Sequence, residues 1–211
     1  MPYVCFMKRI GLAAVIASTI GPVQSILGWV ISGALWAGYD PIRQTISDLA
    51  ADDSPVQAIQ TGFFFLGATL TVVGAIFART LSLPGRIVLF LAGLATYALA
   101  IFTTPSQTGH SDLHRLSASI SFVLMSAWPL FSMRFRKDAP WVIRPPAAIF
   151  STLMLAAISV WFLLTWLDPT ATNIGVAERV IVTAQVIWLS FTVWTCWLIE
   201  RNPGRVMIEN K

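Results

Sequence analysis

Three segments of this chain gather side chains able to do acid–base or binding chemistry. The first is "YDPIRQTISDLA", residues 39–50, with Tyr39, Asp40, Arg43, Ser47 and Asp48 in twelve positions. The second is "GHSDLHRLSASIS", where His110 and His114 stand four apart. On a helix that spacing puts both rings on one face, and two such histidines can share a zinc ion. A zinc site needs three or four ligands; Asp48, Asp112 and Glu178 are the available third ligands, and no spacing selects among them. Axial haem ligation does not fit, because two rings one turn apart on one helix cannot approach from opposite faces. The third segment, "GVAER", supplies Glu178 and Arg179, with Gln185 seven residues on and on nearly the same face. A nucleophilic serine needs a histidine and an orienting acid. Ser47, His114 and Asp48 or Glu178 provide those types, although no Gly-x-Ser-x-Gly elbow is present. Walker and dinucleotide-binding glycine motifs are also absent.

The elements that must position these groups are membrane helices. The chain has 211 residues, 56% hydrophobic and 11% charged, with a mean hydropathy of +0.72. An ordinary soluble domain carries about 25% charged residues, so the main solvent here is lipid. Apolar runs bounded by polar, Pro or Gly residues predict an all-α bundle of six spans in one transmembrane domain. They cover about 10–36, 56–78, 86–104, 112–133, 146–167 and 177–199. Ser54, Pro55 and Gln57 read as a capped start of the second span, and Thr172 or Asn173 as a cap for the sixth. Pro22 can kink the long first run, whose apolar length exceeds that of a signal-peptide core and reads as an uncleaved span.

Basic residues divide unequally between the two sides. Eleven fall on the N-terminal side of the bundle (Lys8, Arg9, Arg79, Arg86, Arg134, Arg136, Lys137, Arg144, Arg201, Arg205, Lys211) and three on the other (Arg43, Arg115, Arg179). Short Lys/Arg-rich loops stay cytoplasmic. The expectation is a multi-pass protein of the cell (plasma) membrane with both termini cytoplasmic. The net charge of +4 is then a topology signal rather than a nucleic-acid footprint. Trp36, Trp141, Trp166 and Trp197 fall near span ends, as interfacial belts require. The two cysteines, Cys5 and Cys196, form no motif. Seven of ten acidic residues and both histidines lie on the outer side, so any reactive or binding site should open outward.

In the first outer loop, Asp40-Pro41 reads as a helix start. Ile42, Ile46 and Leu49 then form one apolar stripe, which predicts a short amphipathic helix over about 41–50. Ser117 and Ser121 continue the His114 stripe into the membrane, which turns that face toward the bundle interior. Mid-membrane charges are absent, which weakens an ion-coupled transporter. Gln24 and Gln185 are the deepest large polar groups.

The order of "AGYDPIRQTISDLA", "GHSDLHRLSASISF" and "GVAER" resembles the bacterial and archaeal membrane proteins grouped as domain-of-unknown-function family 998, over residues 9–200. The resemblance implies a six-helix integral membrane protein and no established activity. It singles out Tyr39, Asp40, Arg43, Ile46, Ser47, Asp48, Leu49, His114, Glu178 and Arg179. Three functional readings remain open. One is an outward pocket for a lipid headgroup or small amphipathic molecule. Another is a metal-assisted or acid–base hydrolase of a lipid-linked substrate. The third is an accessory subunit in which Arg43, Arg179, Asp48 and Glu178 only pair with one another. The first needs no cofactor; the second admits zinc through His110 and His114. The expected partners are membrane lipids, a second copy of the chain or another membrane protein, and no nucleic acid.

Overall fold

A computed structural model of the chain describes residues 9–109 and 111–202. These residues are all-α. The helices are α1 (Leu12–Leu35), α2 (Ile46–Leu49), α3 (Gln57–Phe77), α4 (Leu83–Ile101), α5 (Asp112–Phe131), α6 (Pro145–Leu167) and α7 (Ile174–Arg201). A single 3-10 turn, Trp141–Ile143, precedes α6. Each long helix packs against the next in sequence, and α7 closes the ring against α1. Five helices (α1, α3, α4, α6 and α7) are long and apolar enough to cross a membrane. Their large apolar side chains stand exposed along most of their length, for example Leu27, Phe150, Leu153 and Leu164. Soluble monomers do not expose contiguous apolar surface on this scale. α5 is 20 residues long, but its first half carries Asp112, His114, Arg115 and three serines, so it is markedly less apolar.

The two ends of the bundle differ in chemistry. At the end where α1 begins, Ile10, Val15, Leu81, Trp128, Ile143 and Val193 belong to one dry cluster. Arginines close the helix ends around it. Arg86 donates to the Ala75 and Ile76 carbonyls at 2.7 and 2.6 Å, in the last turn of α3. Arg134 donates to Thr80 and Leu81 carbonyls at 3.1 and 3.0 Å. Cations suit the carbonyl end of a helix, so the basic residues read as a topology signal also satisfy backbone there. At the opposite end lie residues 36–56, 102–109, 111 and 168–174, and with them most of the polar segments singled out in the sequence.

Helix starts differ in detail from the expected caps. Ser54 does not cap α3, whose N-cap is Val56. Its hydroxyl instead donates to the Leu49 carbonyl (2.8 Å) and accepts from the Val56 amide (3.2 Å), fixing the turn between α2 and α3. Asn173 sits at the N-cap of α7 but makes no side-chain capping bond. α1 runs unbroken through Pro22.

Candidate functional site

Residues 39–50 do not form the continuous helix expected over 41–50. Asp40 starts a turn: its Oδ1 accepts from the Ile42 amide (2.9 Å) and its carbonyl from the Gln44 amide (2.8 Å). Thr45 then returns to an extended conformation and caps a four-residue helix, α2. Thr45 Oγ1 accepts from the Asp48 amide (3.0 Å), and Asp48 Oδ2 accepts from the Thr45 amide (2.6 Å), a capping box. The physical reason for the break is tertiary. Carbonyls that a longer helix would use internally bond to α7 instead. Gly175 donates its amide to the Ile42 carbonyl (2.9 Å). Arg179 Nη1 donates to the Pro41 and Gln44 carbonyls (2.8 and 3.0 Å). Ile42, the first residue of the supposed stripe, is exposed, whereas Ile46 and Leu49 are buried.

Arg179 is the anchor of this loop. Besides the two loop carbonyls, Nη1 donates to Gly175 (2.8 Å), and Nη2 donates to the Tyr39 hydroxyl. The guanidinium lies over the Trp29 ring at 5.3 Å and the Tyr39 ring at 5.6 Å. Tyr39 in turn donates to the Thr45 carbonyl (2.7 Å). Burial pushes its phenol above the ordinary tyrosine range, so it remains a donor. The close approach requires glycine at position 175. A Cβ there would stand 2.2 Å from the Gln44 carbonyl oxygen and 2.6 Å from that of Pro41.

Glu178, adjacent in sequence, addresses a different target. It is buried, accepts from the Ile46 amide through Oε2, and places Oε1 3.2 Å from Ser47 Oγ. On the other side of that hydroxyl, 3.2 Å away, is His114 Nε2. The second ring nitrogen, Nδ1, lies 2.8 Å from the Phe102 carbonyl. A carbonyl only accepts, so Nδ1 carries hydrogen, and in the neutral ring Nε2 is the acceptor. Ser47 therefore has one hydrogen and two acceptors beside it. All these contacts are hydrogen bonds together only when the trio holds one further proton, on Glu178 or on His114.

Among the described residues, the ion network of the accessory-subunit alternative does not form. Among the described residues, Arg43 pairs only with Asp40, at 3.7 Å and exposed, where such a pair contributes little. Asp48 serves the capping box. Burial raises its carboxyl above the ordinary aspartate value, against the Thr45 hydrogen bonds that lower it. Glu178 and Arg179 bond to backbone and hydroxyl groups rather than to each other. His110 lies outside the described residues. Among the described ones, no three His, Cys, Asp or Glu side chains converge to hold a metal ion, and both nitrogens of His114 face protein groups. The serine stripe faces inward: Ser117 is buried, and Ser121 Oγ is 2.9 Å from Thr96 Oγ1 on α4. Gln185 donates to the Phe122 carbonyl and Ser126 Oγ, both at 3.0 Å.

The Ser47 trio lies on the wall of a groove of about 660 Å³ between α5, α6, α7 and the 43–48 loop. Pockets for small molecules run about 300–1,000 Å³. One end of the groove is polar, with Arg43, Asp48, His114 and Arg115. The rest runs between α5 and α6 past Phe122, Val123, Val160 and Leu163. Arg115 lies over the Trp166 ring at 5.3 Å, and among the described residues no carboxylate is within ion-pair distance of it. Ser47 and Glu178 also border a smaller interior cavity of about 140 Å³, lined in part by Gln24, Gln60 and Gln185. Sequence reading missed Arg115, Trp166, Gly175 and the Phe102 carbonyl. The Thr-x-x-Asp spacing of "TISD" was the legible signal for the true helix start.

Residues 19–195 match the family described as "Protein of unknown function (DUF998)", and the chain belongs to that family. No curated protein and no solved structure matches it.

Proposed function

We propose that this member of a family without an assigned activity binds an amphipathic molecule with an anionic headgroup, such as a membrane lipid, in the groove between α5, α6 and α7. The observation that carries the reading is the division of one groove into a polar end and an apolar run. A headgroup phosphate would meet Arg115 and Arg43, and a chain would lie along Phe122, Val123, Val160 and Leu163. In this reading α5 crosses the membrane as a sixth span. Its polar first half is tolerated because His114 and Ser117 turn away from lipid. With six spans, the eleven-to-three division of basic residues supports cytoplasmic termini and a groove whose polar end faces the outer side of the plasma membrane.

Native mass spectrometry of the protein released from phosphatidylglycerol-containing nanodiscs tests the proposal. Wild type should retain about one lipid, and Ala156→Trp, which fills the groove from α6, should retain none. Equal retention by both would refute it.

A further inference from the structure

We infer that Ser47 is a nucleophile and His114 its general base, acting on an amphipathic carboxylic ester held in the groove. The inference rests on the groove-binding reading and adds a reaction to it. Four observations converge on it. Ser47 Oγ is 3.2 Å from His114 Nε2, within the reach of a nucleophile–base pair. The Phe102 carbonyl at Nδ1 fixes the tautomer in which Nε2 is the acceptor, the role an orienting group plays toward a catalytic histidine. Glu178 Oε1 stands on the other side of the same oxygen, so the hydroxyl is held from two directions. Finally, Ser47, His114 and Glu178 all line the groove, so a bound ester can reach the oxygen.

The reaction balances with water as the only co-reactant. Ser47 Oγ bonds to the ester carbonyl carbon while its hydrogen passes to His114 Nε2. The bond to the alcohol oxygen breaks, and that oxygen takes the proton from Nε2. An acyl-serine remains. Water then attacks the acyl carbon, giving a proton to Nε2, and the departing Oγ recovers it. Glu178 touches Oγ throughout and, when it carries the trio's additional proton, donates to the oxygen as it leaves. Nothing is oxidised or reduced. The expected substrate is an acyl ester of an anionic or polar alcohol, with the carbonyl near the groove's polar end and the acyl chain between α5 and α6.

The test uses the full chain in detergent with two probes. 4-Nitrophenyl octanoate reports acyl transfer by intact mass and peptide mapping. Dodecyl phosphate, which has no carbonyl carbon, reports groove binding alone by native mass spectrometry. The expected result is an octanoyl adduct on Ser47, its absence in Ser47→Ala, its persistence in Ser47→Cys, and a rate at least about a hundredfold lower in His114→Gln. The wild-type acylation rate should rise with pH to a plateau as the histidine base loses its proton. A serine reacting without a base would climb with hydroxide and show no plateau, so this profile decides the matter even where His114→Gln fails to fold. Binding of dodecyl phosphate without acylation of Ser47 overturns the nucleophile, and acylation without a plateau overturns His114 as its base; bound dodecyl phosphate leaves the groove reading standing in either case. Neither binding nor acylation overturns both.

Discussion

Replacing Arg179 with alanine removes the group that ties residues 39–44 to α7, and its effect follows from the hydrogen bonds. Nη1 reaches three carbonyls with two hydrogens, and the Gly175 carbonyl lies within α7 itself, one turn before Arg179. The cross-segment loss is therefore the bonds to Pro41, Gln44 and Tyr39. Hydrogen bonds to a charged group contribute about 1.5–3 kcal/mol each. Removal also relieves a buried guanidinium whose Nε has no partner, which offsets about 1–3 kcal/mol. The net cost is about 1.5–8 kcal/mol, a more than roughly tenfold increase in the open population of the loop. Arg179→Lys keeps the charge but loses the planar fork and should fall between the two. Hydrogen exchange on peptides covering 39–50, followed by mass spectrometry in nanodiscs, reads the effect directly. Peptides from α4 serve as the unchanged reference. Loop protection within threefold of wild type in Arg179→Ala would refute the anchoring role.

Three further outcomes follow from the same geometry. Gly175→Ala places a methyl against two backbone carbonyls that cannot rotate away. It should cost about 1–3 kcal/mol in thermal stability and loosen the same loop peptides, and an unchanged melt would contradict the close approach. Glu178→Gln keeps an acceptor for the Ile46 amide and should be nearly neutral in stability. Glu178→Ala leaves that amide and Ser47 short of a partner and should cost about 1–3 kcal/mol by the same melts. Asp48 has a folded pKa raised by burial, so the folded chain holds its proton more tightly than the unfolded chain does. The associated stability is fully present below the ordinary aspartate value of about 4 and is lost as pH rises through the raised one. Asp48→Asn should therefore gain on wild type in melting temperature between acid and neutral pH, and a gap that moves the other way would contradict the burial argument.

The all-α architecture was legible because long apolar runs have one inexpensive conformation in lipid, where every backbone group must bond within its own segment. α5 was legible too, since a polar stripe beside an apolar one has to face inward. The loop was harder. Ile42, Ile46 and Leu49 satisfy helical spacing, but the spacing cannot reveal that Arg179 and Gly175, more than 130 positions away, take the carbonyls the helix would need. The capping box at Thr45 and Asp48 was present in the sequence as the competing local signal. One of the three readings open in the sequence pairs Arg43, Asp48, Glu178 and Arg179 with one another. In a buried setting backbone groups and hydroxyls satisfy Asp48, Glu178 and Arg179 instead. Ser47 and His114 were both visible, but their meeting depends on how α2 is hung from α7, which no spacing records.

The groove itself is open to direct measurement. A photoreactive phenylalanine analogue placed at Val123, on the groove wall, samples a bound chain; the same analogue at Leu164, exposed on α6 outside the groove lining, samples bulk lipid. The expected result is saturable crosslinking of one phospholipid at position 123, competed by excess dodecyl phosphate and abolished by Ala156→Trp, with unsaturable crosslinking at position 164. Indistinguishable, unsaturable crosslinking at both positions would show that the groove holds nothing but bilayer, and the binding site would fall.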